Sequence, residues 1–356
     1  MSNQILVAVD MGRSQIKSVS FYTDNTDKSY ECRFIFRSMY SYFSLIYPQQ
    51  SFSRQMDDII CQIDSLPACL FGEVCLSASK SNNLIYGLNN SLFIKEYSFL
   101  YIMVSIAKLL EMQSLNNLKV ILGISYTNDN CSYINELKQK LIGNHSVIIQ
   151  NIAGKELSKI EFDIIEIHKY LQPIPIIYNI MIQPDFTIRK SDMYKKILIL
   201  DSGSFTFDSA VISSLKIQQS NTIPIGANTI YESISNELSK IGVNLNVKEI
   251  EDRHIHNKTV ANRIKNNVCI KEYFDSLLPI YAKKVVNDII NQYEDYSFED
   301  IYITGGASEY FYSFIKEVFD NIKFTDDKIF SNATGILKSL RRKLLSNNNE
   351  IRISDG

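Results

Sequence analysis

The sequence predicts an α/β protein of two lobes in which one architecture is used twice. Three observations carry that reading. Residues 5–21, ILVAVDMGRSQIKSVSF, run from an apolar strand through Asp10 and a turn at Met11-Gly12-Arg13-Ser14 into a second extended segment. Residues 196–211, KILILDSGSFTFDSAV, repeat this order, with Asp201 ending the strand and Gly203-Ser204-Phe205 making the turn. Residues 301–308, IYITGGAS, are a further short apolar strand ending in Gly305-Gly306. An unbroken apolar run such as Ile5 to Val9 reads as a strand buried on both faces. Strand–Asp-x-Gly–strand hairpins at the head of each half imply duplicated lobes facing a shared cleft.

The chemistry of these turns points to phosphate. A tight turn with a glycine offers backbone N–H groups to an anion, Lys17 adds a point charge, and Asp10 can hold magnesium through water. The glycine pair at 305–306 lets the backbone approach a flat ligand closely. Extended segments, not helices, follow both Asp-x-Gly turns, which excludes the P-loop and the dinucleotide-binding fingerprint. No Ser-His-Asp signature is present.

Composition sets the frame. The chain has 356 residues, room for one large or two medium domains. Hydrophobic residues make up 45% and charged residues 21%, as in a globular protein with a substantial core. A net charge of −2 gives no electrostatic reason for direct nucleic-acid binding. Cys32, Cys61, Cys69, Cys75, Cys131 and Cys269 show no C-x-x-C spacing and read as reduced structural thiols. Met1 to Gln4 lead directly into a core strand, and no apolar run approaches the ~18 residues of a membrane span, so a cytoplasmic protein with no membrane partner is expected.

The elements follow in order. Residues 30–94 are aromatic-rich, with turn signals at Pro48, Pro67, Gly72 and Gly87, and predict a small inserted subdomain of short strands with a helix near 55–64. Asp57-Asp58 read as a solvated helix face. Leu100, Met103, Val104, Ala107 and Leu110 recur at helical spacing within 97–112. Residues 118–124 predict a buried strand, 131–142 a helix, and 146–152 and 160–168 extended segments. Pro173 and Pro175 fix the entry to a helix at 176–181, the expected hinge between the lobes. In the second half, 215–223 predicts a strand, and Gly226 leads into a helix at 228–241 with Ile230, Ile234 and Leu238 on one face. A long amphipathic helix spans 271–293, with a kink or break expected at Pro279. A helix at 310–319 follows, and Asn332-Ala333-Thr334-Gly335 opens a last one at 336–345. His254 and His256, among Glu251, Asp252 and Arg253, read as solvated side chains in preference to metal ligands. Arg341-Arg342-Lys343 complement the dipole at the end of the last helix.

Taken together, Asp10-Met11-Gly12 through Lys17, Asp201-Ser202-Gly203-Ser204-Phe205-Thr206 and Gly305-Gly306-Ala307 resemble the nucleotide-binding signature of the actin and heat-shock-chaperone superfamily. Within it the chain looks most like the ParM, or StbA, ATPases of plasmid partitioning. Residues 97–124, Ile255-His256-Asn257 and 332–337 are similar to segments of that family, and the resemblance extends over nearly the whole chain. It implies an actin-like fold, the duplicated ribonuclease H-like architecture, with a nucleotide cleft between two domains. Domain I is residues 1–180 plus 336–356, including the insertion at about 30–94, and domain II is residues 181–335.

The resemblance also implies roles. Gly12, Arg13, Ser14, Gln15 and Lys17 bind the β- and γ-phosphates, and Gly203, Ser204, Phe205 and Thr206 grip them from the other lobe. Asp10 and Asp201 hold magnesium through its waters, while Asp208 either joins them or fixes its hairpin. Gly305, Gly306 and Ala307 lie along the adenosine, and Glu232 matches a position that reaches the ribose or base edge. Ser204 stands where the family usually has a second glycine; its hydroxyl can still donate to phosphate. Gln172 stands where ParM has a catalytic glutamate and actin a glutamine. A neutral amide orients the attacking water but cannot take its proton, so slow hydrolysis by positioning and charge stabilisation is implied. The plainer alternative is that Gln172 only caps the helix after it. The implied activity is an ATPase, with GTP as the alternative nucleotide, coupled to polymerisation. Filaments would segregate plasmid DNA through a DNA-bound ParR-like adaptor, with no direct contact to nucleic acid. The rival readings are an actin-like scaffold of the cell-division or pilus-assembly type with little hydrolysis, and a small-molecule kinase. The kinase needs a carboxylate base where this chain has Gln172.

Overall fold

Both predicted hairpins form where an apolar run gives way to a glycine turn. The computed structural model describes residues 3–42, 59–73, 75, 85–86, 91–126, 133–150, 157–188, 190–260, 267–294 and 296–347. The chain divides into two compact units, Met1–Lys190 with Phe330–Gly356, and Ser191–Ile329.

In the first unit the described strands are β1 (Gln4–Met11), β2 (Gln15–Thr23), β3 (Ser29–Arg37), β4 (Met39–Tyr42), β5 (Ile59–Ile63), β6 (Cys69–Phe71), β7 (Ile85–Tyr86), β8 (Leu118–Tyr126), β9 (Gly143–Gln150) and β10 (Leu157–Leu171). They form one sheet in the order β3-β2-β1-β8-β10-β9-β5-β6-β4-β7. β1 and β10 both lie parallel to β8, and β1 is antiparallel to β2. The apolar run of β1 serves two cores. Ile5, Val7 and Val9 pack with the helix Ser91–Met112 on one face. Leu6 and Ala8 pack with Ala333, Ile336, Leu337 and Leu340 of the helix Ser331–Asn347 on the other.

Several expectations are corrected here. The described strands of 30–94 extend the main sheet: β3 pairs along β2, and β5 pairs with β9. Residues 59–63, expected in a helix, are β5, because Ile59, Cys61 and Ile63 alternate into the core. Asp57, Asp58 and Cys131 lie outside the described residues. The last helix begins at Ser331, so the four residues expected to open it are already helical. At Gly335 a Cβ would overlap the Pro175 carbonyl, so glycine lets this helix lie directly against Ile174–Met181. The first compact unit takes in Phe330–Gly356. Within the same compact unit, Phe186 stacks on Arg341 with 4.1 Å from ring centre to guanidinium.

The second unit repeats the plan. Its strands are β11 (Ile197–Ser202), β12 (Phe207–Ser213), β13 (Lys216–Ile223), β14 (Thr259–Val260), β15 (Val268–Cys269), β16 (Asp300–Thr304) and β17 (Ile322–Phe324). The sheet order is β13-β12-β11-β16-β17, with β14 and β15 paired apart. An antiparallel meander followed by two parallel strands matches β3-β2-β1-β8-β10 strand for strand. The helices Ala227–Lys240, Ile270–Tyr293 and Ser308–Lys316 bury Ile230, Ile234, Phe274, Val285 and Phe311 with Leu198 and Leu200. Of the kink or break expected at Pro279, the break does not occur: Ile270–Tyr293 is one continuous helix through it. Proline removes one backbone hydrogen bond, while buried Phe274 before it and Ala282 and Val285 after it hold the helix to the core.

Candidate functional site

In the first unit, Asp10 is the penultimate residue of β1 and is buried, at 3% exposure. Four adjacent strands bring polar groups together around it. Lys17 is its cross-strand partner on β2, with Nζ 3.9 Å from Oδ2. Ser125, near the end of β8, donates its hydroxyl to Asp10 Oδ1 at 2.7 Å. Gln172, the residue after β10, donates Nε2 to the same oxygen at 2.7 Å and to Ser125 Oγ at 3.1 Å. The Gln172 backbone N–H donates to the Tyr126 carbonyl at 2.9 Å, which holds the chain at the strand end. The helix Ile174–Met181 has Pro173 at its N-cap and no side-chain cap, so Gln172 serves Asp10 and does not cap the helix. This cluster occupies the carboxyl ends of β1, β8 and β10, the edge at which open α/β sheets bind ligands.

The turn itself is closed by the Gly12 N–H donating to the Gln15 carbonyl at 3.1 Å. A Cβ on Gly12 would stand 2.6 Å from that oxygen, so the turn needs glycine. Ser38 braces it, donating its hydroxyl to the Gly12 carbonyl at 2.7 Å and its N–H to the Ser14 carbonyl at 3.0 Å. Arg37 donates to Ser14 Oγ at 3.2 Å and pairs with Glu73 at 3.2 Å. Arg13 is exposed at the tip.

The second unit carries the matching turn. The Gly203 N–H donates to the Thr206 carbonyl at 2.9 Å, the same closure as Gly12 to Gln15. Asp201 is penultimate in β11 and faces Asp208 across the ladder. Thr206 and Thr222 donate their hydroxyls to the two Asp208 oxygens at 2.8 and 2.6 Å. That arrangement favours the hairpin-fixing role for Asp208. The Asn228 N–H donates to the Ser204 carbonyl at 2.8 Å, so the helix Ala227–Lys240 starts on the turn. Glu232 is exposed on that helix. Gly305 has φ +93°, and a Cβ there would overlap the Ser202 carbonyl and stand 2.5 Å from Asp201 Oδ1. The Ala307 N–H donates to the Ser202 carbonyl at 3.0 Å. Gly306 differs: among the described residues, nothing lies within 4 Å of the position of its Cβ.

Ser125, Ser38 and Arg37 were not singled out from the sequence. A lone serine near the end of an apolar strand was the available signal for Ser125. His254 is not the solvated side chain expected. Its ring stacks on Phe274 with centroids 4.0 Å apart, and Nδ1 lies 3.0 Å from the Tyr231 hydroxyl. Burial pushes its pKa below the usual histidine value. His256 Nδ1 lies 3.0 Å from the Asp252 carbonyl, at the end of the helix Val247–Ile255.

Among the described residues, no group of three or more His, Cys, Asp or Glu side chains is placed to hold a metal. Asp10 and Asp201, the latter with Asp208 as its cross-strand partner, are carboxylates of the kind that magnesium uses when phosphate oxygens and water complete its shell. No described helix is long and apolar enough to cross a membrane.

No protein-family model matches the chain, and no curated protein matches its sequence. Solved structures do match its fold. The archaeal actin homologue Ta0583 superposes with a TM-score of 0.71 at 17% identity, covering 95% of this chain and 99% of its own. The apo pSK41 ParM protein gives 0.70 at 16% identity, covering 98% and 100%. ParM in a 15-stranded filament from Clostridium botulinum gives 0.70 at 19% identity, covering 96% and 99%. Ta0583 has also been solved in complex with ADP, and that structure matches at 0.69 and 15% identity over 95% and 99%.

Proposed function

We propose that this chain, whose fold is actin-like and of the ParM type, is a nucleotide-dependent filament-forming ATPase. The observation that carries the reading is the network on Asp10, in which Lys17, Ser125 and Gln172 converge on one buried carboxylate beside a glycine turn. The filament of the ParM relative and the ADP complex of the archaeal homologue support self-assembly and nucleotide binding.

In this reading Gly12, Arg13, Ser14, Gln15 and Lys17 bind phosphate from the first unit, and Gly203, Ser204, Phe205 and Thr206 from the second. Glycine turns of this kind can offer backbone N–H groups to an anion, and Lys17 would bring a cation to phosphates and to Asp10 alike. Asp10 and Asp201 would hold magnesium through its waters; the ion supplies charge neutralisation of the phosphates. Gly305, Gly306 and Ala307 would lie along the adenosine, and Glu232 would reach the ribose or base edge. Gln172 has no charge with which to take a proton, so it would orient water and hydrolysis would be slow. Such filaments would position plasmid DNA through a DNA-bound adaptor of the ParR kind.

The test is light scattering of the purified chain with magnesium and ATP or GTP. Scattering should rise with nucleotide and fall as it is hydrolysed; a flat trace from micromolar to tens of micromolar protein would refute filament formation. Asp10→Ala should weaken nucleotide binding and polymerisation together, whereas Gln172→Ala should spare binding and lengthen filament life. The neutral amide at 172 also favours a second reading, a nucleotide-binding scaffold with little hydrolysis. Polymer lifetime would then be equal under ATP and a non-hydrolysable analogue.

A further inference from the structure

We propose that Ser125 is the positioning residue that fixes which face of the Gln172 amide meets the hydrolytic water, an inference that rests on the ATPase reading above. The hydrogen bonds allow one sense of direction. A carboxylate oxygen accepts and does not donate, so Asp10 Oδ1 takes the Ser125 hydroxyl at 2.7 Å and the Gln172 amide nitrogen at 2.7 Å. The Ser125 hydroxyl gives its proton to Asp10, so it can only accept from Gln172 Nε2 at 3.1 Å. The Nε2 end of the amide is thereby held by both acceptors, Asp10 Oδ1 and Ser125 Oγ. The amide oxygen must face away from them, where it accepts a hydrogen bond from water.

Asp10 alone would leave the amide held at a single contact, about which the side chain could swing. Ser125 is the second point that closes a three-membered network around it. The hydroxyl is itself held, since Ser125 is 1% exposed and sits in the strand register Tyr170↔Ser125 that sets β8 against β10. The network also divides the work of Asp10. Oδ1 is taken by its two donors, while Oδ2 faces Lys17.

The test is steady-state hydrolysis by the full chain with magnesium-ATP, alongside the dissociation constant of a fluorescent ATP analogue, for wild type, Ser125→Ala, Gln172→Ala and the double variant. Ser125→Ala should lower kcat by roughly threefold to tenfold, the scale of one positioning hydrogen bond, with nucleotide affinity within about twofold of wild type. If Ser125 acts through Gln172, the double variant should be no slower than Gln172→Ala alone. Ser125→Cys, close in size and a weak donor, carries the same comparison if the alanine variant does not fold. Unchanged kcat in Ser125→Ala, or additive losses in the double variant, would overturn this inference and leave the ATPase reading standing. A wild-type chain that binds no nucleotide would overturn both.

Discussion

Adjacent glycines at 305 and 306 should fail in different ways when each is replaced by alanine. At Gly305 the backbone has φ +93°, which costs a residue with a side chain about 1–2 kcal/mol. The new Cβ would also overlap the Ser202 carbonyl and stand 2.7 Å from its carbon, and backbone on β11 cannot swing aside. Overpacking of that kind adds about 1–3 kcal/mol. The total, about 2–5 kcal/mol, lowers Tm by roughly 6–20 °C for a unit of this size. At Gly306 no described residue lies within 4 Å of a Cβ, so Gly306→Ala should stay within about 0.5 kcal/mol of wild type. If the backbone there lies along the adenosine, the same methyl group should weaken nucleotide binding about tenfold or more, the effect of overpacking a contact surface. Differential scanning fluorimetry and titration of a fluorescent nucleotide read the two effects. Equal melting temperatures for the two variants would refute the reasoning at Gly305; wild-type affinity in Gly306→Ala would refute the adenosine assignment.

Three further outcomes follow from the packing. Gly335→Ala should destabilise by about 1–3 kcal/mol despite alanine's better helix propensity, because its Cβ meets the Pro175 backbone; a melting temperature at or above wild type would contradict the close helix contact. Arg341 lies over Phe21 at 3.5 Å and Phe186 at 4.1 Å, and desolvation by burial lowers its pKa to about 10, so it remains charged at neutral pH. Arg341→Lys should lose about 1–2 kcal/mol in chemical denaturation, since an ammonium cannot stack on both rings; full stability would argue against the sandwich. His254 is held neutral by burial, with Asp275 and Glu251 favouring its charge and Lys271 opposing it. Its folded pKa lies below the unfolded value near 6.5, so its contribution is complete above that pH and falls as pH drops below it. Denaturation midpoints at pH 7.5 and 5.5 should diverge less in His254→Phe than in wild type, and an equal divergence would remove His254 from the account.

The strand–turn–strand units were legible because burial on both faces leaves an unbroken apolar run, and Ile5 to Val9 do divide between two cores. Residues 30–94 were less so, since short strands at the far side of a sheet carry little periodicity of their own. Ser125 was hidden for a different reason. Its partner Asp10 is 115 positions away, and Gln172 is 162 from Asp10, so only the parallel register of β1, β8 and β10 brings them together. Local pattern reading does not contain that register. His254, by contrast, had a signal that its charged neighbours obscured. It lies four residues after fully buried Ile250, hence on the inward face of the helix Val247–Ile255.

The duplication is one of backbone, not of side chains, and that difference bears on mechanism. Both turns close with the same hydrogen bond, Gly12 to Gln15 and Gly203 to Thr206, and the two sheets share the order of five strands. Around Asp10 stand a cation, a hydroxyl and an amide. Asp201 instead has Asp208 across the ladder, with Thr206 and Thr222 bound to Asp208, and the Gly305 backbone pressed close. The groups around Asp10 can orient a water; those around Asp201 fix backbone. If the proposed roles hold, turnover should respond most to changes at Ser125 and Gln172, and affinity most to changes at Thr206. Thr206→Val removes one donor to Asp208 and should raise the nucleotide dissociation constant more than it lowers kcat. A variant that lost turnover at wild-type affinity would reverse this assignment of labour between the units.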